Sequence, residues 1–544
     1  MPIYHIASRQ HWDAQKASGV YRSETLDAEG FIHCSTRTQV LRSAEKHFKD
    51  RDGLALLCIE PARVKPEIRW ENTFPHIYGP LNTDAVLDVL PFERDASGPF
   101  TLPAGIEKYT GPQNLIELLD ASAAFFGSQR FAVSAETGRE LSFAALQRQS
   151  HAFARSLAER FKIEPRQHVA ILVPNCLELL PIYFGILRAN CVAVPINARL
   201  KAEELTFILG DSEAQAVVVH PGTWKPAQEA LKALNWQRPV IAAGFETPPS
   251  GTIPLDELLA VVSPPLEGGG RGRGRPASDD VAAIIYTSGT TGRPKGAMLT
   301  HGNILFNIES TKAGHGLRRS DIHLLVVPLF HVTGLNTIMP TALEQGGVLV
   351  VSNSIDPEEI IDTVEKFGCT TFFGVPTTFY LLANIKDLPV ARLKTLRMIC
   401  YSGAPMSPLT IKRLRELFPN VELHNFYGLT ETTSVTTVLP DEQALPRAES
   451  IGKAPPGLEL CIMDDKEAKL APGEVGELCI KGPSVFKGYF KRPEATADTI
   501  RDGWFHSGDV GVLDEDGFLF IVDRLKDVIV SGGENIASSE VERV

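Results

Sequence analysis

The sequence predicts an α/β protein with more than one domain, and three observations support this fold class. The chain has 544 residues, which exceeds the size of one ordinary hydrophobic core. From Gln113 onward, short apolar segments alternate with amphipathic helical segments, as is typical of largely parallel sheets covered by helices. The first hundred residues lack this pattern, and a segment rich in Pro, Gly and Ser separates them from the rest. We therefore expect a small α+β domain over 1–103, a linker over 104–112 and a large, multi-subdomain α/β domain over 113–525.

Hydrophobic periodicity predicts the individual elements. Amphipathic helices are predicted from Asn114 to Phe126 and from Ser142 to Phe161. The segment 179–196 is the most membrane-like, but Arg188, Asn190 and Pro195 interrupt it, so a helix followed by a buried strand is expected. Short apolar strands are predicted at 54–59, 169–173, 215–220, 240–243, 281–286, 323–327, 348–351, 370–375 and 398–402.

Charge and cysteine content exclude several classes of protein. The formal net charge of -12 argues against broad binding to nucleic acid or to anionic membranes. The eight cysteines are scattered without a C-x-x-C pair, so the sequence indicates neither a zinc ribbon nor a disulfide framework. No signal peptide or stable membrane insertion is expected, and a reduced, cytoplasmic location fits best.

The small domain contains polar residues that could form a site. His5, His33 and His76 can transfer protons near neutral pH, and Glu71 could orient a ribose or an imidazole beside Ser35. The alternative is that these histidines only satisfy buried polar groups and turns, and the residues alone leave both interpretations open. No ligand spacing indicates a metal site there.

A glycine-rich loop follows the apolar strand 281–286 in the large domain. Glycines let the backbone approach an anion closely, hydroxyls add neutral donors, and Lys295 supplies a positive charge. The spacing matches neither a P-loop nor a Rossmann fingerprint. The loop predicts a phosphate site formed by Thr287, Ser288, Gly289, Thr290, Thr291, Gly292 and Lys295.

This loop resembles the phosphate loop of the adenylate-forming superfamily, which includes acyl-CoA synthetases, aryl-CoA ligases, luciferases and peptide-synthetase adenylation domains. The resemblance extends from Gln113 to the C-terminus. The segment 425–432 resembles the second nucleotide motif of that superfamily, with Asn425 and Gly428 in its loop. The resemblance implies that Tyr427 stacks on adenine, Thr430 contacts the α-phosphate and Glu431 binds Mg²⁺, the metal ligand of this site.

Further segments extend the resemblance. Gly403, Ala404 and Pro405 resemble the turn that lines adenine, and the segment 505–509 resembles the ribose motif, with Asp509 accepting from both ribose hydroxyls. The segment 523–527 resembles the hinge, with Arg524 toward the nucleotide and Lys526 at the pivot. By the same resemblance His331 gates entry of the carboxylate, and the acyl channel is formed by His331, Val375, Gly403 and Thr432.

The resemblance implies a ligase that joins a carboxylic acid to a thiol. ATP and Mg²⁺ would activate a fatty or aryl acid as an acyl-adenylate, and coenzyme A would accept the acyl group. The catalytic residues implied are Lys295, Thr430, Glu431 and His331. Members of the superfamily close their site with a C-terminal lid domain, of which residues 526–544 resemble only the hinge and the beginning. We therefore expect a truncated lid, slow adenylation and an unknown partner if another chain supplies the lid.

Two other interpretations stay open. The large domain could bind ATP or acyl-AMP without turnover. Alternatively, the activity could reside in the small domain, which resembles the family called domain of unknown function 952. That family has been grouped with ADP-ribosyltransferase-like folds, which implies a nucleotide pocket.

The Arg/Gly tract 268–275 could bind RNA, but a flexible connection is favoured because the tract is short and has no aromatic residues.

Overall fold

The chain forms two compact units, residues 1–113 with 309–320 and residues 114–308 with 321–544. The computed structural model describes residues 2–37, 39–49, 51–71, 74–94, 99–106, 111–260, 274–287, 293–524, 529–531 and 534–536. Six residues of the predicted site, Ser288, Gly289, Thr290, Thr291, Gly292 and Lys526, lie outside these ranges, as does most of the Arg/Gly tract. The domain boundaries drawn from the sequence stay a prediction. The segment 309–320, which groups with the first unit, was expected in the large domain.

The first unit is an α+β unit of three small sheets. Its central strand is β4 (Leu54–Ile59), in which every residue is buried, as its apolar run predicts. The antiparallel sheets have the orders β1-β4-β8, β3-β6-β5 and β2-β7. The other strands are β1 (Ile3–Ser8), β2 (Val20–Tyr21), β3 (Ile32–His33), β5 (Glu67–Glu71), β6 (Phe74–Tyr78), β7 (Leu81–Asn82) and β8 (Val86–Phe92), and the helices are α1 (Arg9–Gln15), α2 (Leu26–Glu29) and α3 (Val40–His47).

The second unit contains two eight-stranded, mainly parallel sheets, which confirms the predicted α/β class. Sheet A has the order β10-β9-β19-β18-β20-β21-β22-β23, and β9 and β18 to β22 run parallel. Its strands are β9 (Arg130–Ser134), β10 (Glu140–Ser142), β18 (Ile322–Leu325), β19 (Val348–Val351), β20 (Thr371–Gly374), β21 (Met398–Tyr401), β22 (Glu422–Tyr427) and β23 (Thr437–Leu439). The core of this sheet includes apolar strand residues that the sequence predicts, Phe372 and Ile399 among them, packed against residues of the covering helices.

Sheet B has the order β15-β14-β13-β11-β12-β16-β17-β26. The strands from β11 to β16 run parallel, whereas β17 pairs antiparallel with β16 and with β26. Its strands are β11 (His168–Leu172), β12 (Val192–Pro195), β13 (Ala216–Val219), β14 (Val240–Ala242), β15 (Ile253–Pro254), β16 (Val281–Thr287), β17 (Lys295–Thr300) and β26 (Gly488–Tyr489).

A third, antiparallel sheet, sheet C, was not anticipated from the sequence. It has the order β24-β25-β28-β27, and β29 pairs with the other part of the long strand β28. Its strands are β24 (Glu459–Met463), β25 (Gly476–Lys481), β27 (Ile500–Arg501), β28 (Trp504–Leu513) and β29 (Leu519–Arg524), and a hairpin of β30 (Ile529–Ser531) and β31 (Glu534–Ile536) follows.

The helices of the second unit cover the parallel sheets. The predicted helices at 114–126 and 142–161 are observed, and the second ends in a π-helical turn from Ser156 to Arg160. None of the helices in the described ranges is long and apolar enough to cross a membrane. The helices are α4 (Leu115–Phe126), α5 (Phe143–Arg155), α6 (Leu179–Arg188), α7 (Ala202–Asp211), α8 (Trp224–Ala233), α9 (Leu255–Leu259), α10 (His301–His315), α11 (Met339–Gln345), α12 (Pro357–Phe367), α13 (Pro376–Ala383), α14 (Pro408–Leu417) and α15 (Pro493–Thr499).

Arg397 forms a buried ion pair at the start of β21. Its Nε donates to the Asp321 carboxylate at 2.8 Å, and its other nitrogens pair with Asp321 and with Glu422. The Asp321 side chain is only 1% exposed, so this charge depends on Arg397 for compensation.

Replacing Arg397 by methionine is therefore expected to lower the free energy of unfolding by about 3 kcal/mol, because the Asp321 charge stays buried without its partner. Denaturant unfolding measures the change. Arg392→Met is the control, since Arg392 pairs with exposed Asp362 and Glu365 on the surface and should matter little. Equal losses in the two variants would contradict the role given to the buried pair.

Candidate functional site

The predicted site residues of sheet A follow the carboxyl ends of its adjacent parallel strands. His331 comes shortly after β18, Val375 directly after β20, Gly403 after β21, and the segment 428–432 after β22. Ligands of open α/β sheets bind at this edge, because the loops after parallel strands lie next to one another there. The strand order thus brings together motifs that are up to a hundred residues apart in the chain.

The turn after β22 has a fixed and strained backbone. A Cβ atom on Gly428 would lie 1.1 Å from the carbonyl oxygen of Ser434, so only glycine fits. Thr433 and Ser434 have φ angles of 58° and 96°, which side-chain-bearing residues rarely adopt. The fully buried Thr432 hydroxyl accepts from the Leu429 amide at 2.9 Å. Strain of this kind persists where the surrounding structure holds it, commonly at functional sites.

Glu431, at the centre of this turn, contacts sheet B. Its Oε1 accepts a hydrogen bond from the Tyr489 hydroxyl at 2.8 Å, and its carbonyl accepts from the Phe486 amide at 2.8 Å. The Lys295 ammonium lies 5.2 Å from the centre of the Tyr489 ring. Burial and the nearby Glu431 raise the pKa of Tyr489, so this hydroxyl stays a donor. Tyr489 therefore links the predicted magnesium ligand to the predicted phosphate-binding lysine, a role that no sequence motif indicated.

Replacing Tyr489 by phenylalanine is expected to lower kcat/KM about tenfold, since one hydrogen bond that orients a charged carboxylate is worth about 1.5 kcal/mol. The Mg²⁺ concentration needed for half-maximal rate should rise, while the melting temperature should change little. Pyrophosphate release at varied Mg²⁺ measures both effects. Tyr380→Phe, at an exposed residue of α13, is the control. An unchanged Mg²⁺ dependence would rule out the orienting role of Tyr489.

Asp509 on β28 reaches the same edge from sheet C. Its carboxylate accepts a hydrogen bond from the Tyr427 hydroxyl, and the side chain is largely buried. The Arg524 backbone lies directly opposite Asp509 in the β28–β29 pairing. Asn425 is also buried, and its amide donates to the Ser450 carbonyl at 3.3 Å. The structure thus brings the residues predicted to contact adenine and ribose into direct contact with each other.

The predicted phosphate loop connects two paired strands. Thr287 at the end of β16 lies directly opposite Lys295 at the start of β17. The hydroxyl of Thr287 donates to the Lys295 carbonyl at 3.4 Å. The strand pairing therefore fixes the positions of Thr287 and Lys295, which flank the predicted loop.

A pocket of about 390 Å³ opens where loops of sheets A and B meet. Its wall contains Val375, and a Cβ atom on Gly403 would lie 3.8 Å from Val375 Cγ1. Gly403, Ala404 and Pro405 are exposed, whereas Thr432 is buried in its turn and is absent from the wall. The wall is formed by Pro174, Asn175, Ala198, Arg199, Gly222, Thr223, Val326, Val327, Pro328, Phe330, Asn353, Ile355, Gly374, Val375 and Thr378.

His331 lies next to Phe330 of this pocket wall. Its imidazole reaches solvent, and its Nδ1 accepts from the Thr333 amide at 3.4 Å. The protein around the ring reduces its hydration and lowers the pKa of His331 from its ordinary value. The ring is therefore neutral at neutral pH.

In the first unit, two of the predicted histidines form a pair. His33 lies opposite His76 in the β3–β6 pairing, and their Nδ1 and Nε2 atoms are 3.1 Å apart. The Phe31 ring packs against both imidazoles, and Glu29 Oε2 lies 3.2 Å from His33 Nε2. Glu71 accepts from the Tyr78 hydroxyl nearby.

The other two candidates in this unit have structural partners. His5 is buried, with Nδ1 bonded to the His33 carbonyl at 2.7 Å and Nε2 bonded to the Tyr21 hydroxyl at 3.2 Å. Burial lowers the pKa of His5 to about 4, so the ring is neutral near neutral pH. The Ser35 hydroxyl is 3.0 Å from that of Ser43. His33, His76 and Glu71 thus lie on one sheet face, whereas His5 and Ser35 are buried and hydrogen-bonded to other residues of the unit.

Comparison with known proteins defines the class. Residues 119–490 match the family described as AMP-binding enzyme, and residues 6–89 match the family described as protein of unknown function (DUF952). The chain therefore belongs to the AMP-binding enzyme family, and the predicted resemblance to the adenylate-forming superfamily is confirmed. The match to DUF952 likewise confirms the resemblance of the small domain.

The individual relatives are acid–thiol ligases. The chain is 33% identical over 471 residues to a long-chain-fatty-acid–CoA ligase of Salmonella typhimurium, which covers 82% of this chain and 83% of that protein. It is 37% identical over 411 residues to a feruloyl-CoA synthase of Amycolatopsis sp, covering 74% and 78%. The o-succinylbenzoate CoA synthetase of Bacillus subtilis, solved with its acyl-adenylate intermediate, aligns with a TM-score of 0.68 at 28% identity, covering 78% of this chain and 81% of that one.

Proposed function

We propose that the large unit uses ATP to activate a fatty or aryl carboxylic acid as an acyl-adenylate and transfers the acyl group to coenzyme A. The observation that carries this proposal is the end of β22 together with the turn that follows it. Tyr427 contacts Asp509 of sheet C, and Glu431, four residues later, contacts Tyr489, whose ring lies beside Lys295. One turn therefore joins the groups suited to ribose, to a divalent cation and to phosphate.

Asp509 and Gly403 suit the nucleoside part of ATP. A carboxylate can accept from two neighbouring ribose hydroxyls, and Tyr427 would exchange its hydrogen bond to Asp509 when the ribose binds. Gly403 is exposed and has a φ of 87°, so a base can lie against its backbone.

The charged end of ATP suits Glu431 and Lys295. Mg²⁺ prefers carboxylate oxygens together with phosphate oxygens, and Tyr489 and Phe486 already hold Glu431 in one orientation. When bound, Mg²⁺ supplies positive charge that neutralises the phosphates. Lys295 and Thr287 would bind the departing pyrophosphate together with the loop between them, while the Thr430 hydroxyl donates toward the α-phosphate.

The reaction needs little covalent chemistry from the protein. An oxygen of the acid attacks the α-phosphorus, the bond to pyrophosphate breaks, and the CoA thiolate then attacks the acyl carbonyl and releases AMP. Positioning and charge stabilisation supply the rate, as in other phosphoryl-group reactions.

The pocket beside Val375 suits the acid. Its volume lies within the range of small-molecule sites, roughly 300–1,000 Å³, and Phe330, Ile355 and Val375 give it an apolar wall. The side-chain amide of Asn175 donates to the Val327 and Ser352 carbonyls and accepts from the Leu329 amide. This polar residue therefore shapes the wall and contributes little to recognition of the acid. An apolar acid of moderate size therefore fits best.

The test is acid-dependent release of pyrophosphate from ATP and Mg²⁺ by the full chain, across a panel of fatty and aryl acids, followed by thioester formation with CoA. Asp509→Ala should raise the KM for ATP, whereas Asp465→Ala, at a residue outside the site, should not. ATP binding without acid-dependent pyrophosphate release would favour the alternative of a nucleotide-binding protein without turnover.

We propose a second activity for the small unit, binding of a nucleotide or another ribose- or phosphate-bearing ligand on the outer face of β3-β6-β5. The observation that favours it is His76, which is 6% exposed while its Nδ1 has no hydrogen-bond partner in the described part of the chain. His33, Arg69 and Glu71 share that face, because Arg69 pairs with His76 and strand residues alternate in direction.

Thermal shift of the full chain with NAD and with mononucleotides tests this second activity, in an Asp509→Ala background that removes the proposed ribose contact of the large unit. His33→Ala should abolish the stabilisation, whereas His47→Ala, an exposed residue of α3, should keep it. Stabilisation that survives in His33→Ala would assign the binding to the large unit.

A further inference from the structure

Three adjacent strands of sheet C bring two cysteines and a histidine into one row. Cys461 on β24 lies directly opposite Cys479 on β25, and Cys479 lies opposite His506 on β28. The Cys479 sulfur is 3.4 Å from His506 Nδ1. The row is buried, with Cys479 fully enclosed and Cys461 and His506 each 8% exposed.

Glu477 adds a fourth donor to this row. Its Oε2 is 2.8 Å from His506 Nδ1, while its Oε1 accepts from the Gly508 amide at 3.0 Å. The donor atoms of Glu477, Cys479 and His506 all lie within 4.8 Å of one another. Ligands of a tetrahedral ion with bonds of about 2.0–2.3 Å are separated by similar distances.

The cluster already holds a positive charge. A terminal nitrogen of Arg501 is 2.6 Å from His506 Nδ1 and 3.7 Å from Glu477 Oε2. His506 Nδ1 thus faces the cluster, between a guanidinium that can only donate and a carboxylate that can only accept. The Arg501 side chain is 40% exposed and also pairs with Glu467, so it can move away without leaving its charge buried.

We propose that Glu477, Cys479 and His506, whose donor atoms already converge, form a binding site for Zn²⁺, which replaces the Arg501 guanidinium, and that the neighbouring Cys461 thiol turns inward as the fourth ligand. Two thiolates, an imidazole and a carboxylate are the donor types that zinc prefers, and four of them close a structural site. Binding releases the two thiol protons to solvent and changes no oxidation state. The ion would fix β24, β25 and β28 together three residues before Asp509, and so would support the strand that carries the nucleotide-binding carboxylate.

The test uses the full chain, stripped with a chelator under reducing conditions and titrated with Co²⁺ and then Zn²⁺. We expect one ion per chain, thiolate-to-cobalt charge-transfer absorption and the visible bands of a tetrahedral site. Cys479→Ser should lose these bands, and Cys369→Ser, at a buried thiol outside the cluster, should keep them. Arg501→Gln should bind zinc at least about tenfold more tightly, because a competing positive charge is removed.

Three outcomes would overturn the proposal. The first is a wild-type chain without charge-transfer absorption. The second is equal zinc affinity in Cys479→Ser and wild type. The third is a chain that forms a Cys461–Cys479 disulfide in air and, after this disulfide has been reduced, still binds no metal. Since Arg501→Gln keeps every proposed ligand, its gain or loss of affinity decides the question even if a cysteine variant fails to fold.

Discussion

Glu431→Gln is expected to lower kcat/KM for acid-dependent pyrophosphate release by about a thousandfold. Glutamine keeps the size of the side chain and can still accept from Tyr489, so the turn after β22 should keep its shape. The negative charge that binds the divalent cation is lost, and removal of one group that stabilises transition-state charge commonly costs a factor of about 10²–10³. Steady-state kinetics at saturating ATP and varied Mg²⁺ measures the effect.

The control for this variant is Glu442→Gln, an exposed residue in the short helical turn after β23, which should leave kcat/KM unchanged. The melting temperature of Glu431→Gln should stay close to that of wild type. A loss below tenfold, with normal Mg²⁺ dependence, would remove Glu431 from the proposed cation site.

Gly428→Ala is expected to prevent stable folding of the second unit, or to lower its free energy of unfolding by at least about 4 kcal/mol. The added Cβ would overlap the Ser434 carbonyl oxygen, and a backbone atom cannot rotate away as a side chain can. The strained residues Thr433 and Ser434 would have to rearrange, which also displaces Glu431. Soluble yield, circular dichroism and denaturant unfolding together measure this loss.

Gly210→Ala is the matched control, because Gly210 lies inside helix α7 and an added Cβ would meet only Leu234 at 3.6 Å. Alanine there should be neutral or slightly stabilising, since it is the better helix former. Wild-type stability of Gly428→Ala would mean that the turn after β22 adopts another conformation in solution.

Much of the fold could be predicted because parallel sheets leave a strong pattern in sequence. The buried strands at 54–59 and 348–351 begin and end where their apolar runs do. That pattern does not determine the order of the strands within each sheet. The strand order nevertheless determines which motifs lie next to one another. The assignments of Tyr427, Glu431 and Asp509 depended on family resemblance, and their roles stay predictions that the variants above test.

The rest depended on register, which sequence spacing does not express. Cys461, Cys479 and His506 are separated by many residues and match no metal motif, and only the pairing of three antiparallel strands puts them in one row. The role of Tyr489 could not be predicted from the sequence either, because a tyrosine at the end of a short strand is common. In the small unit the sequence could not separate His5, which is buried as a structural group, from the His33–His76 pair.

The pocket wall is built from loops at the carboxyl ends of two sheets, and this has a consequence for how the protein can change. Val375 follows a strand of sheet A, whereas Ala198 and Gly222 follow strands of sheet B. Except for Gly374, the last residue of β20, the wall residues therefore lie outside the strands whose packing provides most of the stability. Acid selectivity can diverge through substitutions in these loops while the folded core stays intact, so a new substrate preference need not be accompanied by a loss of stability.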